Sequence, residues 1–124
     1  MSGIRALVVD DSATSRAIVA KLIGDQCSLG SASGGEEALE LLGRERFDIL
    51  LLDLLMPGMD GKAVLAALRA RGLPMPVVIM TADIRERTRG DLVELGAVVI
   101  VNKPLTREKL LGAIREALAA GGRR

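Results

Sequence analysis

The sequence predicts a doubly wound α/β fold in a single domain, a parallel five-stranded sheet with five helices distributed over its two faces. Three observations carry this prediction. Four short runs rich in Val, Ile and Leu, at residues 6–9, 49–52, 77–80 and 98–101, are too short for globular helices and read as strands buried on both faces. The segments between them place apolar residues at helical spacing, so strand and helix alternate. The length, 124 residues, allows one domain with a substantial core and is too short for two ordinary ones.

Taken in order, the first strand, 6–9, leads into a helix with Ile18, Val19, Leu22 and Ile23 on one face. A weaker strand follows at 28–33, where small polar residues suit a sheet edge better than its centre. Ala38, Leu39 and Leu42 mark the second helix, and 49–52 the third strand. Gly58 and Gly61 around Asp60 are turn chemistry, as is 73–76. Between these turns Val64, Leu65 and Leu68 form a helical stripe. Strand 77–80 precedes the weakest helical pattern, 84–95, because Gly90 costs about 1 kcal/mol relative to Ala inside a helix. It is read as helix since Leu92 and Val93 continue a stripe from Ile84 and Thr88. After strand 98–101, the face of Leu110, Leu111, Ile114 and Leu118 defines the last helix; residues 1–120 form the domain and 121–124 a frayed tail. Such alternation implies right-handed crossovers and ligand binding beyond the carboxyl ends of the strands, where strand order reverses.

Composition excludes several kinds of chemistry. Histidine is absent, which removes Ser/His and Cys/His pairs and the commonest zinc ligand. The lone Cys27 can form neither an internal disulfide nor a CxxC pair and reads as a half-buried small apolar residue. A net charge of +1 and a single aromatic, Phe47, offer neither a basic field nor stacking surfaces, so no direct nucleic-acid partner is expected. The apolar run at 49–52 stops at Asp53, far short of a membrane span, and the first residues lack a signal-peptide pattern; the expectation is a cytoplasmic protein without membrane contact.

Each strong apolar run ends in a residue capable of chemistry. Val9 is followed by Asp10 and Asp11, Leu52 by Asp53, Met80 by Thr81, and Val101 by Asn102 and Lys103. A parallel sheet brings those ends to one edge. Three carboxylates so gathered repel one another, so at least one must protonate or a cation must bind between them. Oxygen ligands alone favour Mg²⁺ or Mn²⁺ over zinc. Three carboxylates against a divalent ion and Lys103 leave the site neutral until a phosphoryl group arrives. Lys103 and the Thr81 hydroxyl are placed to bind its oxygens while a carboxylate acts as nucleophile, giving an acyl phosphate. Taken singly, each residue has a plainer role. Asp-Asp-Ser is a helix N-cap, Asp53 the end of a strand, Thr81 a cap and Lys103 a solvated lysine. Their conjunction at four strand ends favours phosphoryl transfer.

The same residues carry a resemblance that spans essentially the whole chain. Leu7-Val8-Val9-Asp10-Asp11-Ser12, the run from Asp53-Leu54-Leu55-Met56-Pro57-Gly58 to Met59-Asp60-Gly61, Thr81-Ala82 and Asn102-Lys103-Pro104 resemble the receiver domain of response regulators, as in the single-domain chemotaxis regulators. The resemblance implies a flavodoxin-like sheet of order 2-1-3-4-5. It makes Asp53 the phosphoacceptor, with Mg²⁺ bound directly by Asp11, Asp53 and the backbone carbonyl of Leu55, and by Asp10 mainly through a water. Thr81 would hold a phosphoryl oxygen on activation, Ala82 would leave access to the site, and Lys103 would pair with the phosphoryl group. The Lys103–Pro104 peptide bond is usually cis in this family. Three residues before the lysine the family often has Tyr or Phe, and this chain has Ile100, which cannot reproduce a ring swing or a phenol hydrogen bond.

By the same resemblance the protein accepts a phosphoryl group from a histidine kinase or phosphotransfer protein. The phosphorylated form is then expected to switch a downstream protein target or phosphatase, as a monomer or an activation-linked homodimer. Because 84–95 is the least securely patterned helix, with Gly90 inside it, its displacement makes the face formed by 84–95, 98–101 and 106–120 the expected partner surface. It is not expected to be an enzyme beyond self-phosphorylation and autodephosphorylation at Asp53. The alternatives are a degenerate receiver that binds partners without phosphorylation and a small phosphatase using an aspartyl phosphate. The second would need a further acid/base and a substrate-selecting cap that no insertion here is long enough to supply. A transcription factor is a third class, not expected if these are all the residues encoded, since the tail given after the last helix holds only 121–124.

Overall fold

The computed structural model describes residues 3–73, 75–82 and 99–121. The strands are β1 (Arg5–Val9), β2 (Ser28–Ala32), β3 (Ile49–Asp53), β4 (Val77–Thr81) and β5 (Val99–Asn102). The helices are α1 (Ala13–Ile23), α2 (Gly35–Arg44), α3 (Gly61–Ala70) and α4 (Arg107–Gly121). The further helix expected at 84–95 lies outside the described residues. All strand pairs are parallel, in the order β2-β1-β3-β4-β5, which is the order implied by the resemblance. No helix among the described residues is long and apolar enough to cross a membrane.

The apolar runs become central strands because every residue on them has an apolar neighbour on one face or the other. Alternate side chains of a strand point to opposite faces. Leu7, Val9, Leu50, Leu52, Val77 and Ile79 enter one cluster with Ala38, Leu39, Val64, Leu65 and Leu68 from α2 and α3. Ala6, Val8, Ile49, Leu51, Val78 and Met80 enter the other with Val19, Ile23, Leu110, Ile114 and Ala117 from α1 and α4. Burial on both faces is why these strands read as continuous hydrophobic runs rather than alternating ones. β2 lies at one edge with only Ala32 fully buried, as its small polar residues predicted.

Three local expectations are corrected. Ile18, placed on the apolar face of α1, is 46% exposed, because α1 meets the sheet through Val19 and Ile23, one turn apart, and turns Ile18 toward Pro104 and Leu105. Gly61, expected in a turn, is the first residue of α3, whose N-cap is Asp60 accepting a bond from the Ala63 N–H at 2.9 Å. The turn itself is carried by Gly58, at φ +75°, a conformation L side chains rarely adopt. Cys27, expected half-buried, is buried in the cluster that holds Val19 and Ile23.

Candidate functional site

The sheet's ladder continues past the ends of its strands and so fixes the residues that follow. The Asp10 N–H donates to Ala32 O at 3.1 Å, Leu54 N–H to Met80 O at 3.1 Å and Lys103 N–H to Thr81 O at 2.7 Å. Three short strands ending in register therefore deliver Asp10, Asp53 and Thr81 to one edge, each almost wholly buried. Asp11, one residue further along the chain, is exposed at the rim.

Carboxylate oxygens of Asp10, Asp11 and Asp53 all lie within 4.8 Å of one another. Lys103 Nζ stands 3.5 Å from Asp53 Oδ1 and 3.6 Å from Asp10 Oδ2. One ammonium thus faces two of the three carboxylates. The Asp53 carboxyl is pushed above the ordinary carboxylate range, first by burial and then by the negative charge of Asp10. Lys103 and a backbone hydrogen bond from Leu55 oppose the shift without cancelling it. A proton or a cation on this cluster relieves that excess of negative charge.

The donors suit a hard divalent cation. All are oxygens, and one stands at the exposed rim where a cation can arrive without unfolding the chain. Leu55, also expected at the metal through its carbonyl, follows β3, is itself 63% exposed, and has its backbone hydrogen-bonded to the Asp53 carboxylate.

The floor beneath Asp53 requires glycine. A Cβ on Gly61 would stand 2.8 Å from Asp53 O and 2.9 Å from Leu54 Cα, so α3 can begin directly under the end of β3 only without a side chain there. Gly61 N–H donates to Leu54 O at 2.9 Å across the same approach.

The response regulator receiver domain family matches this chain over residues 6–115. The chain belongs to that family. It is 36% identical over 118 residues to the response regulator MprA of Mycobacterium leprae, covering 93% of this chain and 51% of that protein. It is 40% identical over 116 residues to the protein-glutamate methylesterase/protein-glutamine glutaminase 5 of Myxococcus xanthus, covering 89% of this chain and 33% of that protein. The chain thus spans about half or less of the length of these relatives. Among solved structures, the chemotaxis protein CheY4 of Vibrio cholerae superposes with a TM-score of 0.87 at 28% identity, over 93% of this chain and 98% of that one. Receivers of this family bind Mg²⁺ at an acidic aspartate cluster, and the Asp10, Asp11 and Asp53 carboxylates supply one here.

Further features of this receiver bear on the site. The Lys103–Pro104 bond is cis. Ala82, directly after Thr81, is exposed. Ile100 packs half-buried against the cluster on the α2/α3 face of the sheet. Phe47, the chain's one aromatic, precedes β3, with the Arg5 guanidinium carbon 4.5 Å from its ring centre. It sits at the edge of the sheet remote from the aspartates, so it cannot stand in for the ring that Ile100 lacks.

Sequence reasoning missed two cations that grip the loops of the site through main-chain oxygens. Arg16 Nη1 donates to Asp10 O at 2.7 Å. Lys109 Nζ donates to Pro104 O at 3.1 Å, with Asn102 O at 3.4 Å, and so straddles the segment that carries Lys103. Nothing in the sequence distinguishes either from a solvated helix residue. Ser12 does what its plainer reading required, capping α1 by accepting from Ser15 N–H at 3.2 Å. It also serves the site, its own N–H donating to Asp10 Oδ1 at 2.9 Å.

Proposed function

We propose that the protein is a phosphoacceptor module of a two-component phosphorelay, with Asp53 receiving a phosphoryl group from the phosphohistidine of a kinase or phosphotransfer protein. The observation that carries this reading is the convergence of three carboxylates within 4.8 Å, with the Lys103 ammonium between two of them. Asp11, Asp53 and the Leu55 carbonyl would hold Mg²⁺ directly, and Asp10 through a water. When bound, the ion would neutralise the carboxylates and draw the charge of phosphoryl oxygens.

The chain's own residues account for the rest. An Asp53 carboxylate oxygen attacks phosphorus in line with the departing imidazole nitrogen; the P–N bond breaks, an O–P bond forms, and the imidazole takes up a proton. Burial of Asp53 keeps bulk water from the acyl phosphate, and the exposed Ala82 leaves the donor a path. Lys103 releases Asp10 and Asp53 to pair with the new phosphoryl oxygens, and the Thr81 hydroxyl donates to another. The loop after Thr81 follows that bond, and the change passes to a protein partner through the face formed by 84–95, 98–101 and 106–120. Of this face, 99–101 and 106–120 belong to the described residues. With Ile100 in place of a ring, the displacement of the loop itself would carry the signal.

Intact-mass spectrometry after incubation with acetyl phosphate tests the reading. Wild type should gain one phosphoryl group only when Mg²⁺ is present, and Asp53→Asn should gain none, because an amide is not a nucleophile of this kind. Equal labelling of the variant would remove Asp53 from the role. Absence of labelling in wild type would favour the phosphorylation-independent alternative.

A further inference from the structure

The Asp11 carboxylate is the exposed member of the aspartate cluster, and no hydrogen bond from the described residues holds it. Asp10 differs. Its Oδ1 accepts from Ser12 N–H at 2.9 Å, its Oδ2 faces Lys103 Nζ at 3.6 Å, and its N–H bonds Ala32 O at 3.1 Å. With no such bond on its side chain, the direction in which the Asp11 Cα–Cβ bond leaves the chain is set by its backbone, and in particular by the peptide plane that joins it to Asp10. The oxygen of that plane is Asp10 O, the atom to which Arg16 Nη1 donates at 2.7 Å.

From this we infer that Arg16 is a positioning residue for the cation site: its guanidinium fixes the Asp10–Asp11 peptide plane and so aims the Asp11 carboxylate at the cluster. The inference rests on the proposed Mg²⁺ site. α1 is suited to the task because its N-cap, Ser12, is bonded to the same loop, so the first turn of the helix and the end of β1 move as one piece. A charged donor makes a shorter and stronger bond to a carbonyl than a neutral one. Fixing Asp11 beforehand also spares the ordering cost that a mobile ligand would bring to cation binding.

Charge and geometry predict opposite results for loss of Arg16. A guanidinium beside a divalent cation repels it, so by electrostatics alone its removal would tighten Mg²⁺ binding. By positioning, removal weakens it. Arg16→Met keeps the half-buried stem and deletes both charge and donor, and Arg16→Lys keeps the charge but alters the donor geometry.

The experiment is calorimetric titration of MgCl₂ into metal-free wild type, Arg16→Met, Arg16→Lys and Asp11→Ala, with amide hydrogen exchange on the same metal-free samples. Arg16→Met should bind about tenfold more weakly, equivalent to about 1.4 kcal/mol. Arg16→Lys should show a smaller loss, and both should exchange the amides of Ser12 and of position 16, which donate to Asp10 Oδ1 and Ser12 O, faster while β3 and β4 stay protected. Should Arg16→Met fail to give a cooperative melt, Arg16→Lys decides alone, since weaker binding with the charge retained has no electrostatic origin. Unchanged or tighter Mg²⁺ binding in the folded variants overturns the inference while leaving the site intact, provided Asp11→Ala loses the ion. No binding by wild type, or full binding by Asp11→Ala, overturns the site and the inference together.

Discussion

Lys103 Nζ lies 3.5 Å from Asp53 Oδ1, beyond the length of an ordinary N–H···O hydrogen bond. It is 3.6 Å from Asp10 Oδ2 as well, so the ammonium hangs between two carboxylates and is committed to neither. A charge so placed lowers the repulsion in the cluster but leaves the oxygens free for other partners. Its backbone, by contrast, is fixed, with Lys103 N–H on Thr81 O at 2.7 Å. A fixed main chain with a loosely held ammonium is what a residue needs if it is to exchange a carboxylate for a phosphoryl oxygen.

The separation of roles between Lys103 and Asp11 is measurable. Asp11→Ala should weaken Mg²⁺ at least tenfold, because a direct ligand is lost. Lys103→Ala should leave the affinity within about threefold of wild type or improve it, since a repelling charge is removed. Calorimetric Mg²⁺ titration of the two variants checks this, and equal losses would contradict the assignment.

Asp53 makes both metal binding and stability depend on pH in a stated direction. Its folded-state carboxyl is raised above the ordinary range, chiefly by burial, which is the reverse of a salt-bridged aspartate. At acid pH it is protonated in both folded and unfolded chains and contributes nothing. As pH rises from the ordinary carboxylate value to the raised one, the unfolded chain loses its proton first and stability falls, then levels off. Without metal, Asp53→Asn should therefore be more stable than wild type at neutral pH, with a midpoint of thermal unfolding a few degrees higher. The advantage should vanish as pH drops through the ordinary carboxylate range. Mg²⁺ affinity in wild type should be flat above the raised value and fall about tenfold per pH unit below it, as the proton competes with the ion. Urea denaturation and Mg²⁺ titration over a pH series read out both effects.

Gly61→Ala tests the close approach of α3 to β3. The added Cβ would meet backbone atoms of Asp53 and Leu54 at 2.8 and 2.9 Å, which cannot move aside as a flexible side chain could. The expected loss is about 1–3 kcal/mol of stability, typical of overpacking. Because the displaced atoms are the main chain of Asp53 and of Leu54 next to it, Mg²⁺ binding should weaken in the fraction that stays folded. Gly58→Ala, where the strain is only that of a positive φ, should cost stability and spare the ion.

Much of this molecule is legible without coordinates. The apolar runs announce themselves because a strand buried on both faces has no room for polar residues, and Leu50 to Leu52 show no alternation for that reason. Asp10, Asp53 and Thr81 are legible because each interrupts such a run at its end, where a parallel sheet must gather them. Asp60 was legible only as part of a turn, although its side chain caps α3.

The sequence by itself determined the alternation of strand and helix, the buried strands and the identity of the residues at their ends, because these depend on local periodicity and on chain order. The tertiary structure alone decided what depends on distances between residues far apart in the chain. Ile18 is apolar and helical, yet only the packing of α1 through Val19 and Ile23 leaves it exposed. Gly61 reads as a turn residue in the sequence, and only the approach of α3 to the end of β3, where a Cβ would stand 2.8 Å from Asp53 O, shows why it must be glycine. Arg16 and Lys109 reach main-chain carbonyls, and a carbonyl is the one acceptor that every residue carries, so no pattern of side chains could reveal which of them an arginine or a lysine would find.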